Sequence, residues 1–297
     1  MTIFEQQCNS IKNHKGFIAA LDQSGGSTPK ALKTYGIKED AYHSNEEMFE
    51  LVHEMRSRII TSPAFNTDNV LGAILFENTL DRQIKGKASS RYLWEEKQVV
   101  PFLKVDQGLE SEANGVQLMK PIPDLEPLLV KAKQKGVFGT KMRSLILHAD
   151  SKGIAQIVAQ QFEVAKQISA AGLVPIIEPE INIHNSDKKQ SEIILRTEIM
   201  SHLDTLNSDQ LVMLKVSLPE QANFYQVCIA HPNVIKVVAL SGGFPIDEAN
   251  RRLAENLGMI ASFSRVLTDN LYANQSDNNF NAALKATIEP IYLASIT

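Results

Sequence analysis

The sequence predicts a single (β/α)8 barrel, the TIM-barrel architecture of the α/β class. Eight short apolar runs recur along 297 residues, amphipathic segments separate them, and the composition does not break anywhere along the chain. Continuous apolar runs suit parallel strands covered on both faces. Strand and helix alternating through one chain imply a parallel sheet, and eight units favour its closure. The length suits one domain spanning residues 1–297. An open doubly wound sheet is the competing arrangement, but the glycines near the strand ends do not make its dinucleotide fingerprint G-x-G-x-x-G.

In chain order the runs are Gly16–Asp22, Val70–Phe76, Val99–Asp106, Gly136–Arg143, Leu173–Glu180, Leu211–Leu218, Val234–Ser241 and Gly258–Arg265. Between them, Asn45–Ile60 places Met48, Leu51, Val52 and Met55 on one helical face, and Ser151–Ala171 does the same with Ile154, Ile157, Val158, Phe162, Ala165 and Ile168. The stretches 77–98 and 107–135 are long enough to be elaborated loops.

Composition narrows the function classes. Thirty basic and thirty-four acidic residues give a net charge of −4, without a long basic stretch or clustered aromatics suited to nucleic acid or membrane. An anionic ligand therefore needs a local positive pocket. Cys8 and Cys228 form neither a disulfide framework nor a metal-type pair, the polar N-terminus lacks a signal-peptide core, and no apolar stretch approaches the roughly 20 residues of a membrane helix. The expectation is a reduced, cytoplasmic, soluble protein.

Almost every run ends in a polar residue: Asp22, Glu77, Lys104 with Asp106, Lys141 with Arg143, Glu178 with Glu180, Lys215, Ser241 and Arg265. Taken alone, each suits a solvated rim, because long charged side chains snorkel. Together they would converge on the mouth of a barrel, where active sites are built. Lys215 is the most informative, since it lies within the apolar run Leu211–Leu218 and a buried ammonium is costly unless paired or deprotonated. Lys215 and Lys141 belong to even-numbered runs and are expected to face each other, each lowering the other's pKa. A neutral amine attacks carbonyls, and the resulting iminium permits carbon–carbon bond cleavage. Glu178 and Asp22 are the candidate proton carriers in the same mouth.

A phosphate signal is separate. Ser241, Gly242 and Gly243 follow the seventh run, and Ser264 with Arg265 ends the eighth. Loops at these positions are the usual phosphate site of such barrels. The glycine turn after Asp22 offers Ser27 and Lys30 for a second anion, and Lys104 and Arg143 are further candidates for substrate binding.

The ordered motifs Ala19-Ala-Leu-Asp-Gln-Ser-Gly-Gly-Ser27, Ile74-Leu-Phe-Glu77, Leu103-Lys-Val-Asp106, Lys141-Met-Arg143, Gly172-Leu-Val-Pro-Ile-Ile-Glu-Pro-Glu180, Met213-Leu-Lys215, Leu240-Ser-Gly-Gly243 and Phe263-Ser-Arg265 resemble class I fructose-bisphosphate aldolase, in particular its bacterial branch. The resemblance covers nearly the whole chain. It implies a glycolytic and gluconeogenic lyase, with neither cofactor nor metal, that reversibly cleaves fructose 1,6-bisphosphate to dihydroxyacetone phosphate and glyceraldehyde 3-phosphate. By that resemblance Lys215 matches the Schiff-base lysine, Glu178 the acid/base of carbinolamine dehydration, Asp22 the group engaging the C4 hydroxyl, and Lys141 the lysine assisting cleavage. Lys104 matches the family's strand-three lysine; Ser241, Gly242 and Arg265 match binders of the ketone-side phosphate, and Ser27 and Lys30 fall at positions associated with the other.

The chain departs from the animal form at Gln23, where a glutamate is usual, at Ala31, where an arginine is usual, and at Ser264, where a glycine is usual. It also ends Ala294-Ser-Ile-Thr297, without the terminal tyrosine that shuttles the enamine proton in animal enzymes, so Glu178 is expected to take over that protonation. Tagatose 1,6-bisphosphate cleavage and a catalytically silent phosphosugar-binding protein are the alternatives. Retention of both Lys215 and Glu178 favours an enzyme. The seven histidines are scattered, and none lies at a predicted strand end, so no metal centre is expected. Expected partners are a small phosphorylated sugar and further copies of the chain in a homo-oligomer, with no nucleic acid and no membrane.

Overall fold

In the computed structural model, which describes residues 1–264 and 267–297, the eight expected strands form one sheet in sequence order. They are β1 (Phe17–Leu21), β2 (Val70–Leu75), β3 (Val100–Lys104), β4 (Gly139–Ile146), β5 (Val174–Ile181), β6 (Val212–Ser217), β7 (Val234–Leu240) and β8 (Met259–Ala261). Every neighbouring pair along this path is parallel. The Ala20 N–H donates to the Phe263 carbonyl at 3.4 Å and brings β1 against the end of β8, which closes the barrel and excludes the open doubly wound sheet.

The barrel's interior alternates with its outer face, as the pleat requires. Ile18, Ala20, Ile74, Val100, Phe102, Val174, Ile176, Met213, Val238 and Ile260 make an inner apolar cluster. Phe102 fits there because two neighbours lack a side chain. A Cβ on Gly72 would lie 2.8 Å from the Phe102 ring, and one on Gly139 would lie 2.2 Å from the Val174 carbonyl oxygen and 3.1 Å from that ring. Helix α1 (Ile3–Asn13), which the sequence did not announce, is started by a Thr2–Glu5 capping box. It adds Ile11 and Cys8 to the inner cluster and closes the floor of the barrel.

Outside, the helices pack a second, larger apolar cluster between themselves and the strands. They are α2 (Ser27–Thr34), α3 (Asn45–Thr61), α4 (Leu125–Gln134), α5 (Ser151–Ala170), α6 (Lys188–Leu203), α7 (Ile246–Ala254) and α8 (Asp277–Ala294). Side chains of Ser44, Asp150 and Ser276 cap α3, α5 and α8.

Two expectations need correction. The fourth strand begins at Gly139, not Gly136, because Gly136 takes a positive φ of 75° in the turn that ends α4. The stretch 107–135 is not all loop, for it contains α4, whose Pro127 sits in the first turn where no intrahelical N–H is needed. Within 77–98 lie short helical turns and a small antiparallel pair, Gln83–Ile84 with Lys87–Ala88. No helix among the described residues is long and apolar enough to cross a membrane.

Candidate active site

The carboxyl ends of the strands open into a cavity of about 590 Å³ lined by Asp22, Lys104, Lys141, Arg143, Glu178, Lys215, Ser241, Gly242, Ser264 and Ser27, all expected from the sequence. Gln23, Ser24, Asp106, Glu180 and Ser262 also line it. Two expected members lie away from the lining: Lys30 is exposed on α2, and Gly243 is exposed beyond Gly242. Arg265 lies outside the described residues.

The reactive groups sit on inward positions of different strands. Lys215 is 4% exposed and its Nζ lies 3.0 Å from Glu178 Oε1. Lys141, 3% exposed, lies 2.7 Å from Asp22 Oδ2, 3.2 Å from Glu178 Oε2 and 3.6 Å from Asp106 Oδ2. Glu178 thus stands between the two amines, one oxygen toward each. Lys104 pairs with Asp106 at 2.7 Å and also donates to its backbone carbonyl, and Arg143 pairs with Glu180.

Side chains hold Glu178 in place from behind. Its backbone N–H donates to Gln161 Oε1 at 2.8 Å, and Gln161 Nε2 donates to Ser144 Oγ at 2.9 Å; both partners are fully buried. The β5–β6 pairing spans Ile176 with Met213 and Ile177 with Leu214. Beyond it the Ser217 hydroxyl accepts from Ile181 N–H and donates to Ile181 carbonyl, joining the strands past the point where Glu178 and Lys215 turn into the cavity.

Electrostatics overturn one expectation. Burial does disfavour the Lys141 charge, but the Asp22, Glu178 and Asp106 carboxylates outweigh it and hold its pKa above the ordinary lysine value rather than below. Lys141 is therefore a fixed cation. Burial likewise opposes ionisation of Asp22, and the Lys141 and Lys215 ammonium groups overcome it, leaving the carboxyl below the usual carboxylate range. For Arg143 the Glu180 carboxylate outweighs burial and raises the pKa.

At the rim, Gly242 has φ +62°, and a Cβ there would lie 2.6 Å from Ile183 Cγ2, so the turn after β7 requires glycine. Ser262 is buried at the end of β8, and its hydroxyl has no hydrogen-bond partner among the described residues. The sequence signal for Ser262 was its place two residues beyond Ile260 on the same inward face.

A buried amine touching a carboxylate, inside a barrel mouth ringed by cations, defines an enzyme equipped for imine chemistry on an anionic carbonyl compound. The family model for class-I fructose-bisphosphate aldolase matches residues 4–222. A fructose-bisphosphate aldolase class 1 of Synechocystis sp. is 58% identical over 293 residues, covering 99% of this chain and 98% of the relative. The chain belongs to the class I fructose-bisphosphate aldolase family. Among solved structures, Plasmodium falciparum fructose-bisphosphate aldolase, crystallised with TRAP and a small-molecule inhibitor, shares the fold with a TM-score of 0.77 at 19% identity, covering 99% of this chain and 94% of that one. A Corynebacterium glutamicum protein matches with a TM-score of 0.56 at 13% identity over 98% of this chain and 92% of its own.

Proposed function

We propose that this chain cleaves fructose 1,6-bisphosphate reversibly to dihydroxyacetone phosphate and glyceraldehyde 3-phosphate, with Lys215 as the covalent nucleophile. The observation that carries the assignment is Glu178, which contacts Lys215 and Lys141 through separate oxygens. Lys215 passes a proton to Glu178 and its nitrogen lone pair attacks C2 of the open-chain sugar, giving a carbinolamine. Glu178 returns that proton to the departing hydroxyl, so water leaves and a cationic iminium remains. Asp22, kept ionised, takes the C4 hydroxyl proton. The C3–C4 pair moves toward the iminium, C4 leaves as the aldehyde, and an enamine stays on Lys215. Protonation at C3 and addition of water release the ketone and restore the amine.

Lys141, held as a cation at 2.7 Å from Asp22, stabilises the negative charge developing at the C4 oxygen. Lys141 touches both carboxylates, so the proton that Asp22 took from the C4 hydroxyl is handed across it to Glu178 while Lys141 stays a cation, and Glu178 then supplies it to C3 in this scheme. Tyr292 does not line the mouth; it sits on α8 beside Pro63 and Asn66, which precede β2 at the opposite end of the barrel. Ser241, Gly242 and Arg265 hold the ketone-side phosphate. The loop from Asp22 to Ser27 faces the other one, and Lys104 and Arg143 contribute positive charge between them.

Reduction with borohydride in the presence of dihydroxyacetone phosphate tests the assignment, followed by digestion and mass spectrometry. The adduct is expected on Lys215 and is expected to be absent from Lys215→Met. A label on another residue, or no label, overturns it. Parallel turnover of fructose and tagatose 1,6-bisphosphates decides the stereochemical preference at C4, and Glu178→Gln is expected to slow both imine formation and C3 proton exchange.

A further inference from the structure

Arg56 is a buried cation that the reaction scheme does not use. It lies on α3, 1% exposed, and no carboxylate among the described residues pairs with it. Burial pushes its pKa down to about 10, with Asp22 opposing that shift from a distance. Its guanidinium donates to the Gln23 backbone carbonyl at 2.6 Å, to Gln23 Oε1 at 3.3 Å and to Thr79 Oγ1 at 2.7 Å, while Nε has no partner. Gln23, with its oxygen taken by the guanidinium, turns its amide group outward and donates from Nε2 to Ser264 Oγ at 3.0 Å. Gln23 and Ser264 both line the cavity, one on the loop after β1 and the other on the loop after β8.

We infer that Arg56 is a positioning residue for substrate recognition: from beneath the mouth it fixes Gln23, and through the Gln23 amide it ties the loop after β1 to the loop after β8. The inference rests on the proposed function, in which these two loops serve opposite ends of a bisphosphate. A cation buried without an ionic partner costs several kcal/mol compared with one in water, so a fold needing only packing here is better served by an apolar side chain. Its donors all end on the mouth-side loops, at Gln23 and Thr79, rather than within α3. Gln23 bridges the two groups as an amide, accepting from Arg56 and donating to Ser264 at once; the glutamate usual here in the animal form would accept from the guanidinium and from the hydroxyl.

The discriminating measurement is kcat/KM for fructose 1,6-bisphosphate against fructose 1-phosphate, which lacks the second anion. In Arg56→Met and in Gln23→Leu the ratio is expected to fall about tenfold, the size of one lost charged hydrogen bond, mainly through KM for the bisphosphate. The double variant should lose no more than the worse single one, because both break the same chain of contacts. Arg56→Lys should recover part of the ratio. Should Arg56→Met fail to fold, Gln23→Leu, on a partly exposed loop residue, carries the test. Equal losses for both substrates, an unchanged ratio, or additive losses would overturn the inference. Borohydride labelling of Lys215 with dihydroxyacetone phosphate is run on the same proteins. Labelling retained with an unchanged ratio sinks only the role of Arg56, whereas absent labelling in the wild type sinks the proposed function beneath it.

Discussion

Lys141 shows how a residue's chemistry depends on partners far away in sequence. Its carboxylates come from the ends of β1, β3 and β5, and none is its neighbour along the chain. A buried lysine read from sequence alone invites the inference of a lowered pKa, which holds only when desolvation is unopposed. The barrel supplies the opposition. Because the Asp22 carboxyl lies below its ordinary value of about 3.9 in the folded chain, its ionisation contributes stability at neutral pH that is lost as pH falls further through the depressed folded value. The Lys141 contribution has the opposite sense: it is complete below about pH 10.4 and is lost only as pH rises through its elevated folded value. Lys141→Met should cost about 3–5 kcal/mol at pH 7, since it strands buried carboxylates. Burial then raises the carboxyl pKa values, so acidification to pH 4 should relieve the variant, while the Asp22 contribution in the wild type stays intact above about pH 3.9. Urea unfolding from pH 7 to pH 4 should show the two stabilities converging; a constant gap would mean that the ion pairs do not set it.

At the level of elements, the strands were legible because a parallel strand buried on both faces needs a continuous apolar run, and its carboxyl end can carry a polar group into the mouth. The same logic located Lys215 and Glu178. Helix α1 escaped because its polar face dominates its sequence, and only the closed barrel explains why Ile11 and Cys8 turn inward. Asp106 and Glu180 were visible at strand ends, but their pairing with Lys104 and Arg143 was not, since pairing depends on which strands adjoin. Adjacency also makes Gly139 a sensitive position. β4 carries Lys141 and β5 carries Glu178, and a methyl at Gly139 would meet the Val174 carbonyl of β5 at 2.2 Å, with backbone as the obstacle. Gly139→Ala is expected to lower stability by about 2–3 kcal/mol and to reduce kcat by separating the two strands. Gly26→Ala is the control for stability, with φ −65° and nothing within 4 Å of its Cβ. Thermal unfolding of both variants and turnover of Gly139→Ala check this; equal unfolding of the two with unchanged turnover of Gly139→Ala would show that β4 and β5 yield without consequence.

Across the whole molecule, the net charge of −4 and the recognition of a bisphosphate are reconciled by segregation. Lys104, Lys141, Arg143 and Lys215 are gathered at one end of the barrel, together with Asp22, Asp106, Glu178 and Glu180. Each carboxylate there already lies against an ammonium or guanidinium group. This pairing bears on how the electron pair of the C3–C4 bond is received. A mouth that relied on a divalent cation would need carboxylates or imidazoles free to ligate it, whereas these carboxylates hold lysines and arginine in position, and the proposed iminium on Lys215 would supply the electron sink. Cleavage of fructose 1,6-bisphosphate is therefore expected to proceed unchanged after dialysis against excess chelator, with borohydride and dihydroxyacetone phosphate still inactivating the dialysed enzyme. Activity lost to the chelator and regained with zinc would mean that some carboxylate leaves its lysine to bind metal, and the covalent scheme would have to be abandoned.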